Sequence, residues 1–300
     1  MKNLRTGSVN YEYSTSCSEI ASSGIYLLGF EFDGTACFRK GAWAGPNSFR
    51  MVSEGIESYS PYLDIDLEDF LEEIFDLGNL NLKKETGVEE TYFDGVSKFK
   101  NLTEGHHFKK ENIKLITLGG EHSISLSPIQ KYLMDYPDLV LVHLDAHADL
   151  RDGYSGYHFS HASVIRRSLD LFGPEHQLIQ YGIRSGTKEE YKWMSEHKTL
   201  CESRNEFLEC ILEISATRPI YLTLDLDYFD PAFLPGTGTP EAGGEDFHSF
   251  ISLMKILANK NLVGADIVEL APGIDPTGNS SVFASKVLRE LIACFLKGEK

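Results

Sequence analysis

The 300-residue chain has no long apolar run, few cysteines and a shortage of positive charge. A membrane-spanning helix needs about 18 or more consecutive apolar residues, and no stretch reaches that length. The opening residues, MKNLRTGSVNYEYSTSC, carry basic groups with no apolar segment behind them, so no secretory leader is expected. The five cysteines, Cys17, Cys37, Cys201, Cys210 and Cys294, are scattered, odd in number and never spaced CxxC. That pattern excludes a disulfide framework and a thiolate zinc site, and it points to a reducing, cytoplasmic setting. With 28 basic against 45 acidic residues the formal net charge is −17. Nucleic acid is excluded as a partner, because gripping phosphates takes a basic surface. An acidic field would favour the approach of a small cationic substrate, and acidity also serves solubility alone.

The residues that are present describe an ordinary globular protein, 42% apolar and 24% charged, with no internal repeat or low-complexity linker. Residues 1–300 read as one domain. Strands are predicted at GIYLLGF (24–30), IKLITLGG (113–120), LVLVHLDA (139–146), LIQYGI (178–183), PIYLTLDLD (219–227) and LVGADIVEL (262–270). Their apolar runs are continuous rather than alternating, as parallel strands covered on both faces require. Helices are predicted over 187–196, 205–215, 245–260 and 281–296, and another should start at Ser127-Pro128, a favourable N-cap pair. The acidic stretch DIDLEDFLEEIFDLGN (64–79) spaces Leu67, Phe70, Leu71 and Ile74 as an amphipathic segment with a solvated face. Strands alternating with helices mean an α/β fold around a mostly parallel sheet.

Function in such sheets gathers at the carboxyl ends of the strands, and three predicted strands end in ionisable residues. One runs into Glu121-His122-Ser123; another ends in Asp145, His147 and Asp149; a third ends in Asp225, Asp227 and Asp230. In extended chain, residues two apart point to the same side, so Asp145, His147 and Asp149 converge, as do Asp225 and Asp227. Unpaired carboxylates beside an apolar run are costly. They either lie on a solvated face or surround something positive. His122 and His147 with Asp145, Asp149, Asp225 and Asp227 offer two imidazoles and four carboxylates, a set suited to a hard or borderline divalent ion such as Mn²⁺. Six ligands exceed the needs of one ion and fit a close pair, which activates a bound water.

These motifs resemble those of the ureohydrolases, the arginase and agmatinase family, and most closely its agmatinase branch. The matching segments are GGEHS (119–123), DAHADLRD (145–152), SHAS (160–163), DLDYFDP (225–231), ELAPGID (269–275) and FDGTACFRKGAWAGP (32–46). The resemblance implies a three-layer α/β/α fold around a mostly parallel sheet of about eight strands, a binuclear manganese site, and a homotrimer or homohexamer. It makes His122, Asp145, Asp149 and Asp225 ligands of one Mn²⁺ and His147, Asp145, Asp225 and Asp227 ligands of the other. Glu269 would hold a guanidinium, and His161, preferred to His158, would pass a proton to the departing amine. His143, deeper in its strand, is expected to be a core or supporting residue. The reaction implied is hydrolysis of the guanidino group of agmatine to putrescine and urea.

Arginases of this family carry an Asn two residues after the last Asp of DAHxD and an SxNxHG segment. Here those places hold Arg151 and SGYHFSHAS, which favours a decarboxylated substrate. Aminopropylagmatine, guanidinobutyrate and guanidinopropionate are the alternatives, followed by arginine. Two readings from other classes are a silent metal-binding relative and a one-zinc amide hydrolase. The full ligand set, Glu269 and His161 speak against both.

Overall fold

In the computed structural model, which describes residues 3–5, 9–21, 23–83 and 86–298, ten strands form one sheet. In chain order these are β1 (Leu4–Arg5), β2 (Thr15–Ser16) and β3 (Gly24–Phe30). A separate pair, β4 (Tyr59–Ser60) and β5 (Ile65–Asp66), stands outside the sheet. There follow β6 (Ile74–Leu80), β7 (Ile113–Gly119), β8 (Val140–Leu144), β9 (Gln177–Tyr181), β10 (Leu200–Cys201), β11 (Pro219–Asp225) and β12 (Asn261–Val268). Across the sheet the order is β1-β6-β3-β7-β12-β11-β8-β9-β10, with β2 also on β6. Among the described residues of this sheet only the β1–β6 pairing is antiparallel, and the separate β4–β5 pair is antiparallel too.

Among the described residues nine α-helices lie on the two faces: α1 (Gly45–Ser53), α2 (Val88–Thr103), α3 (Phe108–Glu111), α4 (Leu126–Asp135), α5 (Val164–Leu169), α6 (Lys188–His197), α7 (Arg204–Glu213), α8 (Phe247–Leu257) and α9 (Asn279–Lys297). Successive strand residues enter opposite cores. Ile25, Leu27, Val140, Val142, Ile220 and Leu222 pack with Phe49, Phe207, Leu253 and Val287 from α1, α7, α8 and α9. Tyr26, Leu28, Leu141 and Tyr221 pack with Phe99, Phe108, Ile129, Val164 and Met194 from α2 to α6. Both faces are buried, which explains the continuous apolar runs. Among the described residues no helix is long and apolar enough to cross a membrane.

The three-layer architecture and parallel sheet agree with expectation, and the predicted helices over 187–196, 205–215, 245–260 and 281–296 form within three residues of their predicted bounds. The sheet exceeds the expected eight strands because short edge pieces, β1, β2 and β10, extend it. The helix expected to start at Ser127 begins instead at Leu126, directly after a 3₁₀ turn over His122–Ser125. Pro128 is then within the first helical turn, where its missing N–H costs nothing.

The acidic stretch is the larger correction, since Ile74–Leu80 is a buried strand of the main sheet rather than part of an amphipathic segment with a solvated face. Its polar residues are buried because Arg50 of α1 reaches them. Arg50 Nε and Nη2 donate to the Asp76 carboxylate at 2.7 and 2.8 Å, and Nη1 donates to Asn79 Oδ1 at 2.6 Å. Burial by itself would raise the Asp76 carboxyl, but Arg50 outweighs it and holds the group below its ordinary value. Removing one partner strands the other as an uncompensated buried charge. Asp76→Ala should therefore cost about 3–5 kcal/mol in chemical denaturation, and a loss under about 1 kcal/mol would contradict this account of β6.

Candidate metal centre

Consecutive strands β7 and β8 flank the later pair β12 and β11 in the sheet. At such a switch in strand order the connections diverge and a crevice opens beyond the carboxyl ends. Apart from Asp230, which accepts the N–H groups of Ala232, Gly243 and Gly244, the ionisable strand ends meet there: His122 after β7, Asp145, His147 and Asp149 after β8, Asp225 and Asp227 at β11, and Glu269 after β12. His122 Nδ1 lies 3.0 Å from an oxygen of Asp145, 3.0 Å from one of Asp149 and 3.5 Å from one of Asp225. His147 Nδ1 lies 3.0 Å from Asp227 and 3.5 Å from Asp145. Asp145 thus belongs to both groups, and the six residues named from the sequence converge on one place.

The means of convergence differs from the extended chain expected. Strand β8 stops at Leu144, and Asp145 Oδ1 instead accepts the N–H of His147 at 2.6 Å. Asp225 Oδ1 likewise accepts the N–H of Asp227 at 2.9 Å, which starts the 3₁₀ turn Leu226–Tyr228. Two aspartates, each folding the chain over its own side chain, present the next ligand. Asp149 has φ 52° and Glu269 has φ 66°, left-handed conformations that non-glycine residues adopt at a cost. The second carboxylate oxygen of Asp145 accepts from His143 Nε2 at 2.8 Å, while Gln180 donates to His143 Nδ1 at 3.1 Å. His143 is therefore a support that orients Asp145, as its place in the strand suggested.

The protonation of His122 tests whether a cation fits. Thr223 Oγ1 gives its one proton to Asp266 at 2.7 Å, so at 2.9 Å it accepts from His122 Nε2–H. A neutral His122 then points a bare Nδ1 lone pair at three carboxylates, and this buried atom has no aligned hydrogen-bond partner. Such a pocket demands a proton or a metal ion, and a histidine whose other nitrogen is fixed by a hydrogen bond is a typical metal ligand. Burial alone would lower the pKa of His122, but Asp145 and Asp149 raise it well above the usual value. Burial opposes protonation of His147 as well, and Asp227 and Asp145 raise it. Burial, followed by the charges of neighbouring carboxylates, raises Asp225 and Asp227. Protons or divalent ions would each compensate the carboxylates gathered there.

The centre opens into a cleft of about 210 Å³ whose walls include Glu269, His161, Arg151, Tyr154, Thr239 and Cys37. Glu269 Oε1 accepts the N–H of His122 at 2.9 Å. Burial, then the charge of Glu121, raises its carboxyl well above the usual value. His161 begins a 3₁₀ turn, and burial together with the charges of His147 and His122 lowers its pKa to about 4. His158 is directed instead to Arg167, whose Nη1 lies 3.0 Å from its Nδ1. Thr35 and Glu121 were not singled out from the sequence, although FDGT and GGEHS contain them. A carboxylate directly after two glycines and before a candidate ligand was the available signal.

A three-layer α/β chain with histidines and aspartates gathered at its strand switch has the form of a metal-dependent α/β protein. Comparison with known proteins narrows this. The Arginase family model matches residues 23–294, and the chain belongs to that family. It is 38% identical over 281 residues to the agmatinase of Bacillus subtilis (strain 168), covering 90% of this chain and 91% of that protein. It is 35% identical over 251 residues to the N(1)-aminopropylagmatine ureohydrolase of Thermococcus kodakarensis, covering 82% of each. The crystal structure of the agmatine ureohydrolase of Thermoplasma volcanium superposes with a TM-score of 0.79 at 27% identity, covering 97% of this chain and 95% of that one.

Because both histidines are raised above the ordinary value near 6.5, a metal entering at neutral pH must expel their protons. Affinity should rise with pH throughout the neutral range. Calorimetric titration of Mn²⁺ in buffers of different ionisation enthalpy should show at least about one proton released per ion. Binding without proton release would contradict the assignment of His122 and His147.

Proposed function

We infer that the chain hydrolyses the guanidino group of agmatine to putrescine and urea. The observation that carries this reading is the bare Nδ1 of His122 facing Asp145, Asp149 and Asp225, beside a second nitrogen–carboxylate group that shares Asp145. The agmatinase and ureohydrolase relatives support the substrate class. We assign His122, Asp145, Asp149 and Asp225 to one Mn²⁺, and His147, Asp145, Asp225 and Asp227 to a second. When bound, such a pair lowers the pKa of water toward neutrality and so supplies a hydroxide-like nucleophile for a carbon that neutral water does not attack.

The rest falls to side chains of the cleft. Glu269 is fixed by the N–H of His122 and by its own N–H, which donates to Gly120 O at 2.8 Å. A guanidinium offers planar N–H donors and positive charge, the complement a buried carboxylate lacks. Binding it relieves the raised pKa of Glu269 and fixes the reacting carbon beside the centre. Attack adds oxygen to that carbon; the carbon–nitrogen bond then breaks and the departing amine takes a proton. His161 stands in the wall for this transfer, and its low pKa makes its protonated form a strong acid. The net charge of −17 suits the dication agmatine.

The family match over 23–294 supports one ureohydrolase domain. A cytoplasmic homotrimer or homohexamer completes the proposal. The deciding assay is urea release by Mn²⁺-loaded protein from agmatine, aminopropylagmatine, guanidinobutyrate, guanidinopropionate and arginine. Agmatine should be the fastest, and His161→Asn should lower kcat by about 10²–10⁴-fold with metal content unchanged. Faster turnover of another compound would move the substrate, and no urea from any would overturn the reading.

A further inference from the structure

The segment FDGT is prominent in the sequence, yet none of its residues has a part in the chemistry above. The structure places its threonine between two buried groups. Thr35 is 4% exposed. Its Oγ1 donates to Glu121 Oε1 at 2.5 Å and lies 3.2 Å from both Nδ1 and the backbone nitrogen of His161. Glu121 is fully buried, and four donors converge on its two oxygens. Thr35 and Ser123 hydroxyls reach Oε1 at 2.5 and 2.6 Å; the N–H groups of Thr35 and Ala36 reach Oε2 at 2.7 and 2.8 Å.

A hydroxyl has one proton to give. With that proton directed to Glu121, the lone pairs of Thr35 Oγ1 are left to accept, and the partners within reach are the N–H and the Nδ1–H of His161. We propose that Thr35 is a positioning residue that holds His161 in its Nδ1–H form, so that Nε2 is the nitrogen presented to the cleft. The arrangement follows a common catalytic division of labour, in which the group that moves the proton is oriented by a third group behind it. Glu121 supplies the fixed end of the chain, because four donors hold its two oxygens in place. Thr35 lies outside the ligand set and is not among the residues lining the cleft; its effect runs through His161. FDGT then has a reason to end in a hydroxyl residue.

This inference rests on the reading of His161 as the proton donor, so its test needs one readout that does not depend on turnover. Histidine labelled with ¹⁵N, in protein loaded with diamagnetic Zn²⁺, reports the tautomer of His161 once its signals are assigned by their loss in His161→Asn. The expected result is the Nδ1–H tautomer in the wild type and in Thr35→Ser, lost in Thr35→Val. In the Mn²⁺-loaded enzyme Thr35→Val should lower kcat by about 10–100-fold, the usual cost of removing such an outer partner, with KM and metal content little changed. Thr35→Ser should restore most of it. In a His161→Asn background Thr35→Val should cost nothing further, because the two act as a unit. An Nε2–H tautomer in the wild type, or equal losses from Thr35→Val with and without His161, would overturn the proposal. Absence of urea release with the tautomer pattern intact would instead count against the assigned reaction and leave the Thr35 arrangement standing.

Discussion

Asp145, Asp149, Asp225 and Asp227 are carboxylates in an almost dry pocket, and each such charge costs several kcal/mol unless something positive compensates it. The rest of the site is arranged around that requirement. His122 and His147 supply positive charge only while they hold protons, and the Nε2–H of His122 is committed to Thr223, so its Nδ1 alone faces the carboxylates. A pair of divalent ions held by the six proposed ligands would compensate these charges together. Both histidines would then be neutral, the form in which they ligate. The centre is thus incomplete without cations, and the fold keeps that instability in one place.

The sheet makes this concentration affordable. Strands β7, β8, β11 and β12 are the interior of a sheet buried on both faces, so their ends are held by apolar packing that owes nothing to the metal. Positive φ at Asp149 and Glu269 fits the same pattern, since local strain persists where surrounding structure over-determines it. Hydrogen bonds then aim the ligands. His143 and Gln180 orient Asp145, Thr223 and Asp266 orient His122, and the N–H of His122 orients Glu269. His122 therefore faces the proposed metal centre through its ring and, through its N–H, holds the residue assigned to the substrate.

Much of this was legible in the sequence, for a physical reason. Parallel strands buried on both sides give unbroken apolar runs, and charges at their ends stand out against that background. All six ligand candidates, with His161 and Glu269, fell in such places or in the motifs beside them. What escaped was polar and buried. β6 was missed because Asp76 and Asn79 read as surface residues until Arg50, 26 and 29 residues before them, is seen to pair with them. Thr35 was missed because its partners lie 86 and 126 residues further along the chain. The route by which Asp145 and Asp225 turn the backbone was also hidden, although the convergence it produces was not. Patterns of period two report which face a residue occupies; they say nothing of partners that only the fold supplies.

The central claim is that the six ligands hold two ions close enough to share Asp145. Electron paramagnetic resonance of the Mn²⁺-loaded chain, with metal content measured on the same sample, tests it most directly. The account predicts two ions per chain and the spectrum of a spin-coupled pair, as expected for metals about 3.5–4 Å apart. One ion per chain, or the hyperfine pattern of isolated Mn²⁺, would contradict it.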